Sequence, residues 1–230
     1  MADIAVNLEN VRAMISAFAR EFDRDPEVIR LLAVSKTHPP AGVIAALESG
    51  QRDFGENYLQ EALPKMATLA GCGARWHYIG RIQTNKTRDL AAAFDWVQTV
   101  DREKVAQRLN DQRPESLPPL NVCLQVNIDR EPQKAGALPD SLAGLAAAIR
   151  AMPRLRLRGL MAIPAETTDF EAQRNAFAAV RRLFEQLHDE GHELDTLSMG
   201  MSGDMRAAIA EGSTLLRIGT AIFGPRTRND

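Results

Sequence analysis

Ile29-Arg30-Leu31-Leu32-Ala33-Val34-Ser35-Lys36-Thr37-His38 is the stretch on which the reading of this chain turns. The apolar run is too short for a helix, is rich in Leu, Ile and Val, and ends on polar residues. That is the signature of a strand buried on both faces of a parallel sheet. Comparable runs recur at 52–55, 76–80, 96–100, 121–128, 158–163, 196–199 and 215–219. Longer amphipathic segments lie between them, at 43–49, 59–69, 85–94, 102–112, 138–152, 170–189 and 204–211. An additional helix is predicted over 4–22, where Leu8, Val11, Ile15, Phe18 and Phe22 recur at helical spacing. Eight strands with intervening helices predict an α/β protein, a single (β/α)8 barrel of the TIM type carrying an extra N-terminal helix. A doubly wound open sheet is the structural alternative.

The chain has 230 residues, a size at which small α/β barrels form one domain, so one domain over 1–230 is expected. Residues 114–119 form the most loop-like stretch. A formal net charge of -2 supplies no basic field for nucleic acid or a membrane surface. Cys72 and Cys123 have no CxxC spacing, which argues against a zinc site or a disulfide framework. The first residues lack a basic region followed by an apolar run, and no apolar stretch approaches the roughly 20 residues needed to span a bilayer. A cytoplasmic protein is the expectation.

In barrels of this kind chemistry sits at the C-terminal ends of the strands. Those ends carry Ser35-Lys36-Thr37-His38, Gly55-Glu56-Asn57, His77-Tyr78-Ile79-Gly80, Gln125-Val126-Asn127, Met161-Ala162-Ile163, Ser198-Met199-Gly200-Met201-Ser202 and Arg217-Ile218-Gly219-Thr220. Lys36 closes the first strand, where burial favours the free amine that attacks a carbonyl. Alone, it also reads as a lysine reaching to solvent. The glycines and hydroxyls after the seventh and eighth strands suit a phosphate, since backbone amides approach an anion there. A carbonyl-accepting lysine with a phosphate cup describes a pyridoxal 5′-phosphate (PLP) site or a class I aldolase acting on a sugar phosphate. No P-loop or strand-linked GxGxxG supports a nucleotide.

At Leu31–Thr37, Phe54–Glu61, Trp76–Lys86, Arg158–Pro164, Leu197–Met205 and Arg217–Gly224 the chain resembles the PLP homeostasis protein family, the alanine-racemase-like N-terminal barrel family. The segments run in order over nearly the whole chain. The resemblance implies a fold-type III PLP barrel with Lys36 as the Schiff-base residue. It implies Ser202, Gly219 and Thr220 on the phosphate, Arg217 near the pyridine nitrogen, and Asn57, His77 and Met161 lining the cofactor. An arginine at that nitrogen leaves it unprotonated and weakens the ring as an electron sink. His77 equally suits a hydrogen-bonded histidine in the barrel interior. Lys134 also matches the family pattern, as a cofactor contact or a solvated loop lysine.

Three functions follow: a non-catalytic PLP carrier, an amino-acid racemase or related PLP enzyme, and a lysine-dependent aldolase. Racemisation needs a second positioned acid/base group opposite the lysine. In related racemases a tyrosine from a second domain supplies it, whereas here the chain stops soon after the eighth strand, and Tyr58 and Tyr78 match other parts of the motif set. The expectation is therefore a monomeric, non-catalytic protein of intracellular PLP (vitamin B6) homeostasis, with PLP-dependent apo-enzymes as candidate recipients.

Overall fold

The computed structural model describes residues 3–225; residues 1–2 and 226–230, the start of the chain and most of its tail, lie outside the described residues. Eight parallel strands close in sequence order: β1 (Arg30–Val34), β2 (Asp53–Glu56), β3 (Arg75–Tyr78), β4 (Trp96–Val100), β5 (Leu120–Val126), β6 (Leu155–Ala162), β7 (Thr196–Ser198) and β8 (Leu215–Ile218). β8 returns to β1 through Leu32↔Arg217 and Ala33↔Ile218, so no edge is left open. The expected barrel is present, and the open-sheet alternative is excluded.

The helices are α1 (Ile4–Glu21), α2 (Pro40–Glu48), α3 (Leu59–Thr68), α4 (Thr87–Ala93), α5 (Glu103–Gln112), α6 (Leu142–Arg150), α7 (Phe170–Asp189), α8 (Met205–Ala210) and α9 (Thr220–Phe223). Capping fixes several of the starts. Asp3 accepts from the Val6 amide at 3.2 Å, and Asp169 accepts from Glu171 and Ala172 at 2.8 and 3.0 Å. Pro40 occupies the first turn of α2, so that helix begins three residues before the amphipathic pattern suggested. The segment at 138–152 narrows to α6 because a 3₁₀ turn takes Pro139–Ser141. Strand β6 begins earlier than its apolar run, because Arg156 and Arg158 interrupt the hydrophobicity while the backbone stays paired with β5.

Two regions of side chains hold this architecture. The larger is the layer between barrel and helices, where Leu8, Val11 and Ile15 of α1 join Phe54, Leu90, Leu109 and Phe177. The smaller lies inside the barrel, where Trp96, Cys123 and Met161 pack together. The Trp96 ring lies beneath the guanidinium groups of Arg30 and Arg158, 5.1 and 4.7 Å from its centroid, and His77 stacks on it at 5.1 Å. Burial pushes the Cys123 thiol up to about 12, making it a packing group. No helix among the described residues is long and apolar enough to cross a membrane.

Candidate functional site

At the C-terminal ends of the strands a cavity of about 310 Å³ is lined by Lys36, Asn57, Met161, Ser202, Arg217, Gly219 and Thr220, together with Val34, Ile79, Ile163, Met201 and Gly203. Its size lies at the lower end of the roughly 300–1,000 Å³ typical of small-ligand sites. Seven of the eight residues assigned to the cofactor from sequence therefore share one hollow. A larger hollow of about 820 Å³ lies outside the barrel, between α1, α2 and Phe223, and lacks a lysine or a hydroxyl cluster of this kind.

Lys36 leaves β1 on a fixed strand end. The Ser35 amide donates to the Gly55 carbonyl at 3.0 Å, and its hydroxyl donates to Glu56 Oε1 at 2.7 Å. The Ser35 carbonyl accepts from Lys65 Nζ at 2.8 Å, and that ammonium also meets Glu56 Oε1 at 2.6 Å. Thr37 then takes a left-handed φ of 65°, turning the chain toward α2. Burial raises the Glu56 carboxyl above its ordinary value and outweighs the pull of Lys65. Sequence reading did not single out Glu56 or Lys65, because each looks like an ordinary charge on an ordinary element.

The turn after β7, two strands from β1 around the barrel, supplies Ser202 and Gly203. Gly200 has φ 99°, and a Cβ there would stand 2.5 Å from Ala208 Cβ and 2.7 Å from Leu216 Cδ2. Only glycine lets the chain turn so close to α8. Asp204 Oδ1 accepts from the Met201 amide at 2.5 Å, and the Arg217 amide donates to the Gly200 carbonyl at 3.0 Å. These bonds tie the Ser202 turn to β8, where Gly219 and Thr220 open the short helix α9. That helix has four residues, too few to show periodicity in sequence.

Arg217 is nearly sealed from solvent. Its Nη1 donates to the Ser198 carbonyl at 2.5 Å and to Ser198 Oγ at 2.8 Å, and its Nη2 donates to the Ala162 carbonyl at 2.8 Å. Burial lowers its pKa to about 10, so it remains a cation at neutral pH. Asn57 Oδ1 is buried with no hydrogen-bond partner, a polar atom at the cavity that a ligand would satisfy. The close approach of Gly80 holds the backbone at that point, since a Cβ there would lie 2.1 Å from the Asn57 carbonyl oxygen.

His77 does not line the cavity. It lies deeper in the barrel, fully buried, with Nε2 3.0 Å from Asp53 Oδ1 and Nδ1 2.9 Å from Gln98 Nε2. Burial lowers its pKa against the pull of Asp53, so the ring is neutral. Lys134 is also away from the cavity, paired with Asp129 at 2.9 Å and Glu131 at 2.8 Å. No cluster of three or more His, Cys, Asp or Glu side chains suited to a metal occurs among the described residues.

Known proteins share both the sequence and the fold. The alanine racemase N-terminal domain family matches residues 6–227. A PLP homeostasis protein of Pseudomonas aeruginosa is 57% identical over 226 residues, covering 98% of this chain and 97% of that protein. Its counterpart in Escherichia coli K12 is 52% identical over 229 residues and 98% of each chain. Among solved structures, PipY of Synechococcus elongatus, with PLP bound, superposes with a TM-score of 0.84 at 36% identity, covering 96% of this chain and all of that one. Matched over nearly its whole length at more than half identity, and folded alike, this chain belongs to the PLP homeostasis protein family, within the wider alanine racemase N-terminal domain family.

Proposed function

We propose that this protein binds PLP as a Schiff base on Lys36 and serves intracellular PLP homeostasis as a carrier, without turning over amino acids. The observation that carries this reading is the convergence of Lys36, Ser202, Gly219, Thr220 and Arg217 on one cavity. It is supported by the PLP-bound state of the PipY structure, which is similar over nearly the whole chain. In this assignment Lys36 Nζ supplies the covalent link, and Ser202 and Thr220 supply hydroxyl donors to the phosphate. Gly203 and Gly219 keep the backbone close, and Asn57 Oδ1 and Met161 face the ring. When bound, the cofactor supplies an aldehyde for reversible attachment to amines.

The rest of the lining favours holding over turnover. Racemisation needs acid/base groups on both faces of the substrate carbon. Among the described residues lining the cavity, Lys36 is the single side chain suited to that work at neutral pH. Tyr78 instead donates to the Arg81 carbonyl at 3.2 Å and packs on Phe94, and Tyr58 is 52% exposed outside the lining. Arg217 stays cationic and cannot protonate a ring nitrogen as a carboxylic acid would. The same reading makes the protein a cytoplasmic monomer that yields PLP to apo-enzymes; its free thiols at Cys72 and Cys123 suit a reducing compartment.

Purified protein mixed with PLP is expected to show the Schiff-base absorbance band. Borohydride reduction followed by peptide mass analysis should place the adduct on Lys36. Lys36→Ala should lose the band while remaining folded. An adduct on another lysine, with the band retained in Lys36→Ala, would overturn the assignment. Racemisation or transamination of amino acids at about 1 s⁻¹ or faster would overturn the carrier reading.

A further inference from the structure

Below the cavity a file of polar side chains crosses the barrel interior. Arg217 Nη1 donates to Ser198 Oγ at 2.8 Å, and the Ser198 hydroxyl reaches Gln98 Oε1 at 2.6 Å. Gln98 Nε2 meets His77 Nδ1 at 2.9 Å, and His77 Nε2 meets Asp53 Oδ1 at 3.0 Å. The file ends on Arg75, whose Nε and Nη2 grip Asp53 Oδ1 and Oδ2 at 2.8 and 2.7 Å near the opposite end of the barrel. Ser198, Gln98 and His77 are completely buried, and they come from β7, β4 and β3.

Both ends dictate the same direction of donation. A guanidinium can only donate, so Ser198 Oγ accepts from Arg217 and its proton goes to Gln98 Oε1. Asp53, gripped by Arg75, can only accept, so His77 carries its proton on Nε2. The Nδ1 lone pair of the ring then receives the Gln98 amide. Every member is satisfied, the cation stands at the cavity end, and the carboxylate stands at the far end. Such a chain is mutually polarising, and a break in it strands buried polar groups.

We propose that Asp53, His77, Gln98 and Ser198 are positioning residues, a one-directional hydrogen-bond chain that fixes the Arg217 guanidinium at the ring end of the cofactor cavity. The proposal rests on the cofactor reading, because Arg217 is the member of the chain that lines the cavity. The electrostatics of the file agree with it. Burial holds His77 neutral, as the tautomer requires, and the bonds from His77 and Arg75 outweigh burial to hold Asp53 well below the usual carboxylate range. The charged groups that act on the His77 imidazole are Asp53 on β2, Arg30 on β1 and Asp95 just before β4.

Two measurements test the chain. In ¹⁵N-histidine spectra of the protein without PLP, His77, assigned by its loss in His77→Gln, should be the Nε2-protonated neutral tautomer. It should show no titration near the ordinary histidine value of about 6.5. An Nδ1-protonated ring, or an ordinary titration, overturns the chain.

The second measurement uses PLP-loaded protein and follows the pH midpoint of the Schiff-base band. A guanidinium fixed at the ring disfavours the protonated imine, so loosening it should raise the midpoint. Gln98→Met is expected to raise it by about 0.5 unit or more and to weaken PLP binding about 10-fold. Ser198→Ala, which removes one oxygen and keeps the backbone bond to Arg217, should shift both in the same direction and serves if Gln98→Met does not fold. Leu124→Ala, a core truncation outside the chain, should lower the melting temperature and leave the midpoint unchanged. Wild-type midpoint and affinity in the chain variants overturn the inference. Absence of a Schiff-base band in the wild-type protein overturns the cofactor reading instead, and the histidine spectra still judge the chain by themselves.

Discussion

Lys65 and Glu56 stand one layer behind Lys36, with side chains 5% and 0% exposed and an N–O distance of 2.6 Å. Glu56 Oε2 has no hydrogen-bond partner, so the pair is held by one carboxylate oxygen, the Ser35 hydroxyl and the Ser35 carbonyl. Removing one member of a buried pair leaves a charge uncompensated, which costs about 3–5 kcal/mol. Lys65→Met should lose stability on that order at pH 7. Glu56 then lacks its counter-ion, and its carboxyl, already raised by burial, rises further. A carboxyl whose folded pKa exceeds its unfolded one binds a proton more readily in the native state, so stability falls as pH rises between the two values. The deficit of Lys65→Met should accordingly be smaller at pH 5 than at pH 8 in urea melts, and Glu56→Gln/Lys65→Met should be more stable than Lys65→Met at pH 8. Equal deficits at both pH values would mean that loss of Lys65 leaves the titration of Glu56 across that range unchanged.

The elements were legible wherever burial imposed a period. The apolar run of β4 and the amphipathic pattern of α7 had the ends that the structure gives them, whereas α6 and β6 did not, because proline chemistry and the arginines in the first half of β6 mask the pattern. The cavity was legible because strand ends converge in a barrel. Of the chain below it only His77 was legible, as a hydrogen-bonded histidine of the barrel interior, since Gln98 hides inside an apolar run and its partners lie 21 and 100 residues away. Two turns show the same limit for glycine. Gly50 has φ 80° with nothing within 4 Å of where a Cβ would stand, and Gly200 has φ 99° with Ala208 and Leu216 in the way. Gly50→Ala should cost about 1 kcal/mol of backbone strain and leave PLP affinity unchanged. Gly200→Ala adds a steric clash to the same strain and must displace the Ser202 turn. It should cost about 2–4 kcal/mol and weaken PLP binding, read by thermal melts and by titration of the absorbance band. Equal effects on affinity would separate the turn from the phosphate.

At the scale of the whole molecule the barrel divides its labour between two interiors. The layer beneath the helices is apolar and carries stability, with Phe54, Leu90 and Phe177 fully covered. The interior of the barrel is mixed, with Trp96, Cys123 and Met161 packed beside the polar file from Asp53 to Arg217. Charges sealed inside a barrel do little for stability when compared with apolar residues of the same volume. Their retention is better explained by the cavity they support, and this links ligand and fold through mass action. A ligand bound only by the native state at 100 times its Kd adds about 2.7 kcal/mol. In a chain of this size each kcal/mol moves the melting temperature by about 2–4 °C. PLP at that excess should therefore raise the melting temperature of the wild-type protein by about 5–10 °C. Pyridoxal at the same concentration offers the aldehyde to Lys36 but nothing to Ser202 and Thr220, so its stabilisation should be smaller. In Lys36→Ala, PLP retains the phosphate contacts and still stabilises, whereas pyridoxal has lost its one strong attachment and should not. If pyridoxal stabilised the wild-type protein as well as PLP does, the hydroxyls and glycines after β7 and β8 would not be the anchor assigned to them, and Lys36 would hold the ligand alone.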